Sequence, residues 1–261
     1  MTEQQADLER DELEVVGRIT VASNATFVGR IGKATVVYKP VAGEKPLWDF
    51  PDGSLARREV AAHLVSASLG GDVVPRTWLR DGPLGPGMVQ LWQEPDRDQD
   101  PVDVIPARDA PRDGWRVALA GSGADDEPVC LVHEDSPALR RMAVFDVLVN
   151  NADRKGGHVL PMPGGHRFGV DHGVTFHTEP RLRTVLWGWV GEPLDAAELD
   201  GVRRVRADLA DDGAGGLGGR LAELLDDAEL VALAARCDRL LTSAVFPAPE
   251  GDMPAVPWPL F

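Results

Sequence analysis

Alternating apolar and polar positions open the chain. Residues 14–17, 25–32 and 33–40 carry β-branched side chains broken by glycines, which predicts three strands of a meander. From residue 54 to 69 the rhythm changes: Leu55, Val60, Ala61, Leu64, Val65 and Leu69 recur at helical spacing, with Ser54 as the expected N-cap and Gly70-Gly71 as the stop. Residues 73–79 and 87–93 return to strand character, so an N-terminal lobe (1–93) of sheet plus one helix is expected to close at Gln93. The next stretch, 94–114, holds four prolines and many aspartates and reads as a surface connector or insertion. A helix is predicted from Ser136, with a Ser cap, Pro137 at the first helical position, and Leu139, Met142, Ala143 and Val147 on one face. It runs into a polar loop at Asn151, then a short strand, Gly164-Gly165 and a second strand over 167–171. Helices are expected at 195–209 and 220–245. A C-terminal lobe (115–246) and a proline-rich tail (247–261), either docked or mobile, complete the division.

Composition narrows the function. The chain has 261 residues, 43% hydrophobic and 26% charged, which fits a two-lobed globular protein with a large core. Its formal charge of −15 opposes phosphate backbones and anionic headgroups, and no Lys/Arg run exceeds two residues, so neither nucleic acid nor stable membrane association is expected. Two cysteines, Cys130 and Cys237, are too few for a disulfide framework. The acidic start lacks the basic and apolar regions of a signal peptide, and no apolar run reaches spanning length; a cytoplasmic protein is the expectation. Only four lysines occur beside 23 arginines, which singles out each lysine, above all Lys39 inside an apolar strand.

The candidate chemistry is an ordered set: glycines at Gly29 and Gly32 around a strand turn, Lys39 on the next strand, Glu59 on the helix, Asp153 in the polar loop and Asp171 at the end of the hairpin. Phosphoryl transfer uses a phosphate cover, a cation, an anion holding that cation, a base and an acidic metal ligand. All five residue types follow one another in the chain order of the protein-kinase superfamily. Each alone has a plainer reading. A strand lysine is usually a solvated edge residue, Gly29 and Gly32 fit simple hairpin glycines, and Asn-Asn-Ala-Asp fits a polar helix C-cap. His166, His172 and His177 form no metal-spaced pair, and Gly-Ser-Gly at 121–123 is no nucleophile elbow.

The motifs add a resemblance. DRKGGH at 153–158 resembles the D-R-H-x-x-N catalytic loop of phosphatidylinositol 3-/4-kinases, and VDHG at 170–173 resembles their metal-binding turn, 18 residues later counted between Asp153 and Asp171. With YKP, RREVAAHLVS, VPRT, DVLVNNADRKGGHVL, FGVDHGVTFH and LRTVLWGW, the chain is similar over most of residues 20–245 to actinobacterial phosphatidylinositol kinase-like proteins, and more distantly to HipA-type serine kinases. The resemblance implies an α+β, two-lobed protein-kinase-like fold with a β-rich N-lobe and a mostly helical C-lobe. It implies that Lys39 binds the α/β-phosphates of ATP and pairs with Glu59, and that Asp153 is the base, with Lys155 near the γ-phosphate or acceptor. Asp171 would hold Mg²⁺, Gly29 and Gly32 would cover the phosphates, and Gln90 to Gln93 would be the hinge meeting adenine, with Trp92 as an apolar wall. One position departs: His158 stands where the second metal ligand, Asn, is usual. Imidazole is a poorer ligand for hard Mg²⁺, which points to Mn²⁺, to a phosphate contact or to weak activity, and Asn150 or Asn151 is a second source of the missing oxygen. The expected function is transfer of the γ-phosphoryl group of ATP to a protein hydroxyl or a small metabolite. The alternatives are a nucleotide-binding pseudokinase scaffold and a nucleotidyl transferase.

Overall fold

A computed structural model describes residues 7–20, 24–110, 113–123, 126–251 and 253–261. The start of the stretch read above as lacking an export signal, residues 1–6, lies outside them. Strands β1 (Glu14–Ile19), β2 (Thr26–Ile31), β3 (Ala34–Pro40), β4 (Thr77–Gly82) and β5 (Gly85–Leu91) form one antiparallel sheet in the order β1-β2-β3-β5-β4. The twofold alternation of β3 decides what each face does. Val36 and Tyr38 are buried on one face with Leu13, Ile31, Trp78 and Val89. Lys39, in register with Met88, belongs to the other face, against which helix α1 (Leu55–Leu69) packs through Ala56 and Val60.

Helix α1 serves both lobes. Eleven of its 15 residues are buried, and Ala61, Leu64, Val65 and Leu69 join the main core of the C-terminal lobe. Its start corrects the expectation for Ser54. The Ser54 hydroxyl donates to the Pro51 carbonyl instead, and the N–H groups of Leu55 and Ala56 donate to the Glu44 carboxylate at 3.1 and 2.8 Å. A carboxylate offers two acceptors and a full charge to the positive end of the helix, which a hydroxyl does not. Gly70 ends the helix in the left-handed conformation, as expected.

The C-terminal lobe is built on α2 (Pro137–Val149), α3 (Ala196–Asp208), α4 (Leu217–Ala222) and α5 (Asp227–Ser243). Leu139, Met142, Phe145, Val202, Leu233 and Leu240 pack in one core. The single helix expected over 220–245 is two, because Asp226 and Glu229 form a capping box that starts α5. A second correction concerns 94–114, whose residues 111–112 lie outside those described. Val102–Pro106 is strand β6, which joins β7 (Trp115–Ser122) and β8 (Pro128–Glu134) in a sheet of order β6-β8-β7. Buried Val102 and Ile105 supply the apolar contacts, and the flanking prolines are tolerated because β6 is an edge strand. Two short strands, β9 (Val159–Pro161) and β10 (Arg167–Gly169), make the expected hairpin. The tail is docked: Val256 and Leu260 pack against the main core. Among the described residues no helix is long and apolar enough to cross a membrane.

One buried histidine gives the fold an acid limit. His133 is inaccessible; its Nδ1–H donates to the Glu134 carbonyl at 2.9 Å and its Nε2 accepts from Gly188 N–H at 3.0 Å. Burial pushes its pKa from 6.5 down to about 4. The unfolded chain therefore takes up this proton first, and stability present above pH 6.5 is lost as the pH falls through that value towards 4. A loss of about 3 kcal/mol is expected from this group between neutral pH and pH ~4. Urea unfolding midpoints should fall accordingly, with a shallower fall for His133→Gln. A midpoint independent of pH over that window would contradict it.

Candidate active site

The strand lysine lies between two carboxylates from different lobes. Lys39 Nζ is 2.6 Å from Glu59 Oε1 and 2.6 Å from Asp171 Oδ1. Glu59, 2% exposed, accepts with its other oxygen from His172 N–H at 2.9 Å, so α1 is latched directly to the turn that carries Asp171. Asp171 itself has a positive φ of 62°, a backbone state that asparagine and aspartate tolerate best among side-chain-bearing residues. Burial would lower the Lys39 pKa, but the two carboxylates outweigh it and hold the ammonium charged. Lys39 in turn holds the Asp171 carboxyl well below the usual carboxylate range.

Asp153 sits in a loop fastened from beneath. Helix α2 ends at Asn150, in the left-handed conformation, and presents buried Asp146 to the loop. Asp146 accepts from Asn151 Nδ2 at 2.9 Å and from Arg154 Nε and Nη2 at 3.0 and 2.9 Å. Asn151 Oδ1 accepts from Asp153 N–H at 3.0 Å. Fully buried Arg154 also reaches the carbonyls of His158 and Val170 and donates to His172 Nε2 at 2.7 Å. Gly169 makes the room: a methyl group there would lie 2.8 Å from the guanidinium. The Asp153 carboxylate is left outward, with Lys155 Nζ 3.2 Å from Oδ2 and Arg183 Nη2 3.9 Å from Oδ1. Burial raises its pKa, against the pull of Lys155.

His158 joins the two aspartates. Its Nδ1–H donates to the Asp153 carbonyl at 2.9 Å, and a carbonyl only accepts, so the neutral ring turns a lone pair at Nε2 towards Asp171 Oδ2, 3.5 Å away. Burial lowers the His158 pKa and favours that neutral form. A lone pair facing a carboxylate is repulsive unless something positive lies between them, and the separation suits two donors of one divalent cation. Among the described residues no group of three or more His, Cys, Asp or Glu forms a metal cluster. The chain thus offers two donors, and the remaining ligands would come from phosphates and water. Asn150 Oδ1 accepts from Arg181 N–H at 2.9 Å and Asn151 Oδ1 from Asp153 N–H at 3.0 Å, so each amide oxygen is already engaged in holding the loop.

Other expected residues fall elsewhere. Gly32 forms the β2–β3 turn beside Ala34, and Lys39 lies five residues along β3, roughly 17 Å away at strand rise. Gly29 pairs with Val36 in mid-strand, where a side chain would strike Leu13 and Val36. Neither reaches the Lys39 end of the sheet. Gln90 is buried with its amide on Thr77 Oγ1 at 2.9 Å, and Trp92 N–H donates to the Thr35 carbonyl at 3.0 Å. Both groups are committed within the sheet and are not free to meet a base. Trp92 is 39% exposed, with its indole on Glu94, and the Gln93 amide bends back to the Leu91 carbonyl at 3.4 Å. A cavity of about 400 Å³ between α2, α5 and residues 178–187 is separate from this chemistry. Arg154, Arg183 and, on α1, Arg58, which pairs with Glu229, are not singled out by the sequence, because nothing in the residue type distinguishes a buried guanidinium from a solvated one.

Comparison with known proteins places the chain. It is 50% identical to Protein Rv2133c of Mycobacterium tuberculosis, over 99% of this chain and 96% of the relative. The chain belongs to the family of that protein. No protein-family model matches it. Among solved structures, the Helicobacter pylori proinflammatory kinase CtkA is similar over 93% of this chain and 96% of that one, at 12% identity and a TM-score of 0.49. A likeness that distant assigns no residue a role.

Proposed function

We propose that the chain is a kinase-like phosphotransferase that moves the γ-phosphoryl group of ATP to a hydroxyl. The observation that carries this reading is the position of Lys39 Nζ, 2.6 Å from both Glu59 and Asp171, with Asp171 facing the His158 ring, which is hydrogen-bonded to the Asp153 main-chain carbonyl. In this reading Lys39 binds the α/β-phosphates while Glu59 and the His172 N–H fix its position. Asp153 aligns the acceptor hydroxyl and takes its proton as the new O–P bond forms and the bond to the β-phosphate oxygen breaks, releasing ADP. Lys155 lies beside Asp153 to meet the charge on the transferred group. Asp171 and His158 would hold a divalent cation, Mg²⁺ or Mn²⁺, which neutralises phosphate charge. A protein hydroxyl or soluble metabolite suits a chain of charge −15 better than an anionic lipid surface, despite the resemblance to lipid kinases.

The imidazole at the second ligand position favours Mn²⁺ over Mg²⁺. Calorimetric titration with ATP should show binding that depends on a divalent cation and is stronger with Mn²⁺, and phosphate release from ATP should follow the same order. His158→Asn is expected to reverse the preference. Equal binding with and without metal would remove Asp171 and His158 from the nucleotide site. The same imidazole favours a second reading, nucleotide binding without turnover. Metal-dependent ATP binding with no phosphate release under either metal would select it.

A further inference from the structure

The docked tail lies on the residues next to the proposed base. Gly156 N–H donates to the Leu260 carbonyl at 2.8 Å. At the other end of the strap the Ala255 carbonyl accepts from Thr184 N–H at 3.2 Å and from the Trp187 indole N–H at 2.8 Å. Gly156 directly follows Lys155, and Thr184 directly follows Arg183, the two cations on the Asp153 carboxylate. The strap therefore binds the residue that follows each of the two cations beside the group that would handle the acceptor. Gly156 is shaped for it: a methyl group there would come within 2.3 Å of the Phe261 ring, and Gly157 faces the Phe261 backbone.

Its chemistry is that of a bound peptide. Three protein donors take two strap carbonyls, which is main-chain capture that any extended segment satisfies, and Val256, buried Pro257 and Leu260 supply side-chain anchors. Proline at 254, 257 and 259 keeps the segment extended at little entropic cost. From Ala244 to Phe261 there is no Ser, Thr or Tyr, so nothing in the strap can accept a phosphoryl group. On the reading of Asp153 as the base, the strap occupies main-chain donors within three residues of that base and of Arg183, and carries no acceptor hydroxyl of its own.

We infer that the surface formed by Gly156, Thr184 and Trp187 is the docking face for an extended polypeptide acceptor, held in this chain by its own residues 255–261. This rests on the phosphotransfer reading of Asp153, and selects the protein hydroxyl over a small metabolite. The strap then competes with the acceptor and not with ATP.

The test places a hydroxyl in the strap. Trp258 is 84% exposed and Phe261 56% exposed, so Trp258→Ser and Phe261→Ser leave the core intact; Val256→Ser and Leu260→Ser complete the set. Each full-length variant is incubated with γ-labelled ATP and Mn²⁺ or Mg²⁺, and the label is mapped by peptide mass spectrometry. The expected result is phosphate on the introduced serine in at least one variant, at a rate independent of protein concentration and lost when Asp153→Ala is added. Phosphate release to water with all four serines unlabelled would overturn the docking face while leaving the phosphotransfer reading standing. Absence of any phosphate release, in every variant and with either metal, would remove both. As a second readout, Phe261→Ala should lower KM for dephosphorylated casein at least threefold with KM for ATP unchanged; an unchanged or raised casein KM counts against the inference.

Discussion

Asp171→Asn is expected to lower phosphoryl transfer by roughly a thousandfold while leaving the protein folded. The substitution keeps the size of the side chain and removes its charge. That charge is what Lys39 Nζ meets at 2.6 Å and what faces the His158 lone pair at 3.5 Å. The side chain is 52% exposed, so solvent screens the ion pair that is lost and the protein is expected to stay folded with a modestly lower unfolding midpoint. Loss of transfer with retained stability separates a chemical role from a structural one. Transfer within about tenfold of the unsubstituted protein would mean that Asp171 merely closes the cleft by an ion pair.

Arg154→Met is expected to act in the opposite way, through stability. Arg154 and Asp146 are both inaccessible, and their paired hydrogen bonds form the joint between helix α2 and the Asp153 loop. Methionine fills much of the volume but leaves the buried Asp146 carboxylate without its counter-charge, with only the neutral donors of Asn151 and Thr184, which costs about 3–5 kcal/mol. It also leaves His172 Nε2 and the carbonyls of His158 and Val170 without that donor. Urea unfolding measures the loss, and the double variant with Asp146→Leu should recover part of it by removing the stranded charge. A loss under about 1 kcal/mol for the single variant would show that the loop is held by other means. The clamp on α1 follows the same logic: Arg58, buried, pairs with Glu229 of α5 and donates to the Thr175 carbonyl at 2.6 Å. It holds the residue before Glu59 to the C-terminal lobe.

Much of this arrangement is legible in the sequence where local chemistry is decisive. Ser136-Pro137 starts α2 with its side chain accepting from Leu139 N–H, and alternation of β-branched residues marks β1 to β3. Lys39, Glu59, Asp153 and Asp171 are picked out by type and order; Lys39, Glu59 and Asp171 meet where strand, helix and hairpin converge, while the Asp153 main chain is tied to them only through His158. The misses have physical causes. Glycine serves hairpin turns and phosphate loops equally, so only register shows that Gly32 is at the far end from Lys39. Strand β6 is hidden because two buried side chains suffice to anchor an edge strand set among prolines and aspartates. Glu44 caps α1 from 11 residues upstream, beyond the reach of any local capping rule. A strap that returns from residue 260 to the Asp153 loop is a long-range contact with no local signal.

The central claim is that Lys39, Asp171 and Asp153 form one phosphotransfer site. It is tested most directly by incubating the full chain with γ-labelled ATP and Mn²⁺ or Mg²⁺, beside Asp153→Ala, and following label released to water or carried onto protein. Metal-dependent turnover that is lost in Asp153→Ala is the predicted result. Turnover of equal rate in the variant would contradict the account.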